Sequence, residues 1–268
     1  MKVSKLFFVT LISALSFMAI CAAESKLLFA EDKGLTIARE ADRRDEGFGD
    51  SEEVFTMTLV NEHGSSVKRR MRVRTLERHN DGDWSLSIFD EPADVKGMAL
   101  LTYSHGIDPD DQWLYMPALK RVKRIASNNK SGAFMGSEFS FEDFSSTNDI
   151  RKYTYKYLRN EQFAGMDCFV SEWVPAYEHS GYKRMIVWHD TLEYRVLKID
   201  YYNRGDKFYK TLLLKEYKQF LGKYWRSMRM EMQNHLENRS TILTYDKYRF
   251  RLGLTERDFD QNALKRSN

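Results

Sequence analysis

The side chains that could carry out metal or hydrolytic chemistry are scattered through this sequence. Its six histidines, at positions 63, 79, 105, 179, 189 and 235, include no pair at the i, i+4 spacing that places two imidazoles on one zinc ion. The chain also has no Gly-x-Ser-x-Gly nucleophile elbow and no phosphate-binding glycine-rich loop. We therefore expect no metal, no cofactor and no catalytic residue, and predict that the protein is not an enzyme.

Neighbouring acids and one cysteine are the remaining catalytic candidates. Glycosidase chemistry needs two carboxylates about 5–10 Å apart in a cleft, and acid pairs stand at 52–53, 110–111 and 142–143. Adjacent residues of a strand point to opposite faces, so we interpret most of these acids as solvated. Cys168 lies in an alternating segment and is interpreted as a buried small hydrophobic residue. A hydrolase with an unrecognised carboxylate pair stays an alternative.

The N-terminal segment has the pattern of a secretory signal peptide. Two lysines among the first five residues precede an apolar run, Leu6–Ile20, and the small residues 21–23. Cleavage after Ala23 is expected, which leaves residues 24–268 as a single exported, periplasmic domain. Acylation of Cys21 is the alternative, although the large Ile20 before it disfavours lipidation. Lys and Arg total 42 against 39 Asp and Glu, so no strong net charge favours nucleic acid.

Alternation of apolar and polar residues dominates the rest of the chain. After one or two short amphipathic helices within 25–44, broken near Gly34, the period becomes two from Glu53 onward. Turn signals such as Asn61–Gly64 separate the strands, which are expected at 53–59, 71–74, 84–88, 98–103, 112–116, 120–125, 152–159, 167–174, 182–189, 194–202, 207–215, 224–233 and 241–248. The predicted fold class is mainly β, one large curved antiparallel sheet with a few helices, and a β-sandwich fits almost as well.

Aromatic and methionine side chains are the strongest compositional signal. The chain has 17 Phe, 15 Tyr, 5 Trp and 12 Met residues. Methionine adapts to varied apolar ligands but specifies core packing poorly, so a strand face with three methionines favours an adaptable cavity over ordinary core. The residues expected to line this lipid-binding cavity are Phe55, Met57, Leu59, Trp84, Leu86, Ile88, Met98, Leu100, Trp113, Tyr115, Met228, Met230 and Met232.

The densest basic run lies at 120–124. Alternation divides Lys120, Arg121, Lys123 and Arg124 between both faces of a strand. One interpretation is a solvated edge strand, because edge lysines prevent sheet-to-sheet aggregation. The other is contact with anionic lipid headgroups or an acidic partner.

Three segments carry a family resemblance. Residues 91–101 (EPADVKGMALL), 113–118 (WLYMPA) and 136–144 (GSEFSFEDF) resemble the blocks of the outer-membrane lipoprotein-sorting proteins, relatives of the LolA and LolB lipoprotein carriers. The resemblance covers about 30–260. It implies an unclosed β-barrel, with helices over a hydrophobic cavity that accepts acyl chains.

Together these patterns lead to two hypotheses. The first is a monomeric periplasmic carrier for the acyl chains of a lipoprotein or phospholipid, accessory to an inner-membrane transporter or an outer-membrane acceptor. The second is an envelope stress sensor or scaffold of the same fold, in which the basic strand binds a protein partner and no lipid is transported.

Overall fold

The computed structural model describes residues 28–79, 81–145 and 149–265. The predicted signal peptide, residues 1–23, lies outside the described residues. Helix α1 covers 28–45 and buries Gly34, Ile37 and Ala38 on one face. The expected break near Gly34 was wrong, since the helix continues through it. A Cβ at this position would lie 2.7 Å from the backbone nitrogen of Tyr157, so glycine lets the helix cross the sheet at close range.

Strands make up most of the described chain, in close agreement with the predicted alternation. They are β1 (Asp50–Val60), β2 (Ser66–Leu76), β3 (Trp84–Glu91), β4 (Ala99–Tyr103), β5 (Asp111–Met116), β6 (Arg121–Arg124), β7 (Tyr153–Phe163), β8 (Met166–Pro175), β9 (Tyr182–Asp190), β10 (Val196–Asn203), β11 (Phe208–Phe220), β12 (Tyr224–Asn234) and β13 (Arg239–Phe250). A short helix α2, Gln261–Lys265, follows the last strand.

All these strands form one antiparallel sheet in the order β6-β5-β4-β3-β2-β1-β13-β12-β11-β10-β9-β8-β7. Two meanders are therefore joined at the β1–β13 pair, and β6 and β7 are the free edges. The sheet is not closed, which confirms the predicted unclosed, LolA-like barrel and excludes the sandwich. No helix within the described ranges has the length and apolar character needed to cross a membrane.

The main hydrophobic core lies on the inner face of the sheet. Phe55 of β1 stands opposite Met71 of β2, and Met71 stands opposite Phe89 of β3. These three side chains are at most 2% exposed and belong to one cluster. Residues 130–145, here called the cover segment, pack over this cluster; Phe134 is fully buried against Phe89, with ring centroids 5.7 Å apart.

A second cluster lies on the outer face of β3–β5 and corrects part of the predicted cavity lining. It is covered by the C-terminal segment, where Phe259 and Leu264 are fully buried. Leu86 pairs with Leu101 here, whereas the adjacent Ser87 pairs with Leu100 of the inner face. The predicted lining residues that lie on this outer face are Trp84, Leu86, Ile88, Trp113 and Tyr115. Alternation shows which residues share a face, but not which face encloses the cavity.

Candidate ligand-binding site

The cover segment is fixed to the sheet by a buried carboxylate. Glu138 is 5% exposed and accepts hydrogen bonds from Asn234 Nδ2 at 2.7 Å and Arg239 Nε at 2.9 Å. Its carbonyl oxygen accepts from Lys210 Nζ at 2.7 Å, and its amide donates to Thr241 Oγ1 at 2.9 Å. Glu138 therefore holds the cover segment against β11–β13.

A second carboxylate holds the other end of the cover segment. Glu142 accepts hydrogen bonds from Tyr177 Oη at 3.0 Å, Ser180 Oγ at 2.9 Å and Gly181 N at 2.8 Å. Burial, and the adjacent Asp143 carboxylate, raise the pKa of Glu142 to about 7. This pair is an exception to the interpretation that most of the neighbouring acids are solvated, because Glu142 binds the loop between β8 and β9 and Asp143 binds Tyr182 of β9.

Asp143 stabilises the local turn. Its carboxylate accepts from Ser140 N at 2.7 Å and Ser140 Oγ at 2.8 Å, which forms a capping box on the turn Phe141–Phe144. Tyr182 Oη donates to the same carboxylate at 3.0 Å. Burial raises the Asp143 pKa above its ordinary value, while the Lys210 ammonium opposes the shift.

Beneath the cover segment lies a cavity of about 260 Å³, here called the apolar chamber. Aromatic and aliphatic side chains from β7–β13 form most of its wall, including Trp173, Tyr182, Met185, Tyr201, Leu212 and Leu243. Sequence reasoning missed these residues, although they come from alternating strands. The sequence feature that could have identified them is the aromatic residues that recur at inward-facing positions of β7–β10.

A larger cavity of about 670 Å³, here called the polar cavity, lies between α1 and the sheet. Trp173, Val196, Leu214 and Met230 line both cavities, so the two adjoin across these side chains. The combined space is therefore apolar at one end, beneath the cover segment, and polar at the other, beside α1.

The charges of the polar cavity are largely neutralised within the protein. Arg226 pairs with Asp45 of α1, and Arg195 pairs with Asp190 at 2.8 Å. Burial raises the pKa of Glu53 to about 7, against the opposing effects of the Ser51 hydroxyl, 2.8 Å away, and the Arg226 charge. This acid is the inward member of the 52–53 pair.

One histidine of this cavity is fully buried. His189 is 0% exposed, and its ring stacks on Trp173 with centroids 5.6 Å apart and planes at 29°. Burial lowers the pKa of His189 to about 4, against the opposing charge of Asp190, so the imidazole is neutral. The position of His189 at the end of a strand did not predict from sequence that its ring would be fully buried.

The structure divides the predicted lining residues into four groups. Five lie on the outer face as described above, and Met228 is buried outside the main cluster. Met230 lines both cavities. The others pack in the inner core without forming the cavity wall: Phe55, Met57, Leu59, Met98, Leu100 and Met232.

Arg121, Lys123 and Arg124 of the basic run lie in β6, which is an edge strand as one interpretation predicted, and Lys120 directly precedes it. Lys120, Arg121, Lys123 and Arg124 are all exposed, and Arg124 forms an ion pair with Asp111. In the part of the chain that the structure describes, no group of three His, Cys, Asp or Glu residues could hold a metal ion.

Solved structures with a similar overall fold are known. A crystal structure of a domain named for outer membrane lipoprotein sorting, from Vibrio parahaemolyticus, is 51% identical, with a TM-score of 0.86 over 88% of this chain and 99% of that one. A DUF1329 family protein from Desulfovibrio piger is 28% identical, with a TM-score of 0.84 over the same shares. A LolA superfamily protein from Nitrosomonas europaea, 20% identical with a TM-score of 0.69 over 85% and 97%, shares the fold.

A family model described as an uncharacterized protein matches residues 81–266. No curated protein matches the sequence. The fold and the identity of 51% over most of both chains establish the class: the chain belongs to the outer membrane lipoprotein-sorting family and has the LolA-like fold. This confirms the resemblance stated from residues 91–101, 113–118 and 136–144.

Proposed function

We propose that this protein is a periplasmic carrier that holds acyl chains of a lipoprotein or phospholipid in the apolar chamber. The supporting observation is the chamber itself, which is walled mostly by aromatic and aliphatic side chains, is covered by an anchored segment that contributes Glu142 and Asp143, and adjoins a larger cavity. The lipoprotein-sorting name of the Vibrio parahaemolyticus relative supports the same class of cargo. A cleaved signal peptide at residues 1–23 would deliver the protein to the periplasm.

The energy of binding suits a reversible carrier. Burial of an acyl chain of about 14 methylenes, at about 0.8 kcal/mol each, gives about 11 kcal/mol before costs. Ordering of the chain and of the protein reduces this value. The remaining affinity is one that a membrane or an acceptor protein can reverse, which is what transfer between an inner-membrane transporter and an outer-membrane acceptor requires.

The test is native mass spectrometry, with organic extraction, of the protein purified from periplasm without detergent. We expect a phospholipid or acylated peptide at about one per chain. A protein that is purified without bound lipid and does not bind an added fluorescent fatty-acyl probe would contradict the carrier function.

The exposed basic edge strand supports a second candidate function. As a sensor or scaffold, the protein would use Lys120, Arg121, Lys123 and Arg124 to contact an acidic partner, with the chamber playing no part in transport. An empty chamber together with a stable complex through β6 would favour this function over the carrier.

A further inference from the structure

The polar cavity contains buried polar atoms that no protein atom satisfies. Within the described residues, Nδ1 and Nε2 of His189, Nε1 of Trp225 and Oγ of Ser145 make no hydrogen bond. All three residues line this one cavity. Buried donors and acceptors without partners cost free energy and are rare in native proteins, so their concentration around one cavity indicates a bound polar group.

An arginine of the polar cavity contacts Trp225 and the residue next to His189. The Arg195 guanidinium stacks over the Trp225 ring, 4.6 Å from its centroid. The same guanidinium pairs with Asp190, the neighbour of His189. Asp190 is 2% exposed and also accepts from the backbone amides of Leu192 and Glu193. The indole therefore lies against an ion pair whose carboxylate belongs to the residue next to His189.

Most cations of the polar cavity are paired with carboxylates of the protein. Arg195 and Arg226 are bound to Asp190 and Asp45, and Arg44 is bound to Glu40 and Glu193. Within the described residues, Lys223 is a lining cation that forms no ion pair, and it donates to the carbonyl oxygen of Glu46. A phosphate entering here would therefore meet several carboxylates and few cations able to pair with it. Uncharged carbonyl oxygens, by contrast, suit the indole N–H, a serine hydroxyl and the N–H of a neutral imidazole.

We propose that the polar cavity binds the uncharged ester or amide head of an acylated ligand, with His189, Trp225 and Ser145 as its hydrogen-bonding residues. The acyl chain then passes Trp173 and Met230 into the apolar chamber, because these side chains line both spaces. This inference rests on the proposed carrier function and adds the chemistry that selects among lipids.

The test compares three ligands of equal chain length: a monoacylglycerol, the matching fatty-acid anion and a lysophosphatidylglycerol. Each displaces a fluorescent fatty-acyl probe from the purified protein. We expect the monoacylglycerol to bind about tenfold more tightly than either anion, the value of one hydrogen bond. His189→Phe keeps a ring against Trp173 but removes both nitrogens, and should abolish this preference while the protein still binds the probe.

Trp225→Phe provides a second variant at a partly exposed position, in case His189→Phe does not fold. His179→Phe, at an exposed turn, is the matched control and should keep the wild-type preference. Equal affinity for the three heads, or unchanged selectivity in both variants, would overturn the inference and leave water as the partner of these atoms. If the wild-type protein binds no acyl probe at all, the carrier function itself fails, so the two failures are distinguishable.

Discussion

Asn234 donates a hydrogen bond to the buried carboxylate of Glu138 across 2.7 Å, and this contact joins the cover segment to β12. Asn234 is 4% exposed, and its side-chain oxygen accepts from the amides of Leu236 and Glu237 in the following turn. One amide group therefore positions both the cover of the cavity and the β12–β13 turn. The cover is held by specific polar bonds as well as by apolar packing.

Removal of the Glu138 carboxylate should loosen this cover. Glu138→Ala leaves the Asn234 amide buried without its acceptor and removes one of the two carboxylates paired with Arg239, so we expect a loss of about 3 kcal/mol in the free energy of unfolding. Urea denaturation measures this change, and faster release of a bound acyl probe should accompany it. Glu62→Ala, in an exposed turn, is the control. Equal stability of the two variants would contradict the anchoring role.

Met230 lines both cavities, so a substitution at this position tests where the ligand binds. Met230→Asp places a charge on the wall of both cavities, and acyl-probe affinity should fall at least about tenfold because an ion in an apolar site is strongly disfavoured. Circular dichroism checks that the variant is folded. Met98→Asp is the matched control, since Met98 packs on the same core without lining either cavity. Unchanged acyl-probe affinity in Met230→Asp would show that the ligand does not bind at this site.

Glu142 should make stability depend on pH. Its pKa is about 7 in the folded protein against an ordinary value of 4.5, so the folded state keeps a proton that the unfolded state has lost between these values. The contribution of Glu142 to the free energy of unfolding should therefore fall as pH rises from about 4.5 to about 7, by roughly 3 kcal/mol at most, whereas the lowered pKa of His189 contributes in the opposite direction. Chemical denaturation at several pH values measures the slope.

Glu142→Gln should reduce this slope without abolishing it. Burial raises the pKa of Glu53 and Asp143 in the same direction, and both remain in the variant. Tyr153 and Tyr177, which face Glu142, stay neutral across this range because burial raises the pKa of each phenol further. Glu178→Gln, at a side chain 90% exposed, is the control. The same slope in both variants would refute the assignment to Glu142.

Substitution of a leucine on each face of the sheet should distinguish residues needed for stability alone from residues that also affect ligand binding. Leu264→Ala, beneath the outer face, should cost about 2–5 kcal/mol in the free energy of unfolding because it leaves a cavity in a fully buried cluster. Acyl-probe affinity should stay unchanged. Leu212→Ala, in the wall of the apolar chamber, should alter affinity as well. A loss of probe binding in Leu264→Ala would mean that the outer cluster supports the ligand site.

The basic edge strand gives a prediction on membrane contact. Lys123→Glu with Arg124→Glu should weaken sedimentation with phosphatidylglycerol vesicles by tenfold or more, at about 1 kcal/mol per basic residue. Acyl-probe binding should not change. Lys218→Glu with Lys247→Glu reverses two exposed charges on other strands and is the matched control. Equal effects of the two pairs would show that net charge, not β6, determines the contact.

Much of the fold was readable from the sequence, whereas the site was not. Strict alternation located the strands, because half-buried strands repeat with a period of two. The same pattern could not show that the C-terminal segment covers Leu86 and Ile88 on the outer face. Nor could it show that Glu138 would be buried, since its four hydrogen-bond partners lie between 72 and 103 positions further along the chain.

The burial of His189 could not be predicted from the sequence either. A histidine at a strand end is usually solvated, and local sequence gives no sign that α1, Trp173 and the 190–195 turn enclose it. The three residues proposed to bind the polar head lie on or between different strands and share a cavity only in the folded protein. No spacing motif could have connected them.

The pairing of β1 with β13 has a consequence for how the cavity comes into being. It joins residues as distant as Ser51 and Phe250, whereas the other strand pairs connect neighbours along the chain. Each meander can therefore form from strands that are neighbours along the chain, but closure of this single seam must wait for the last strand. Met57 and Met230 approach from opposite meanders, on either side of Leu243, so the interior of the half-barrel is a late product of folding.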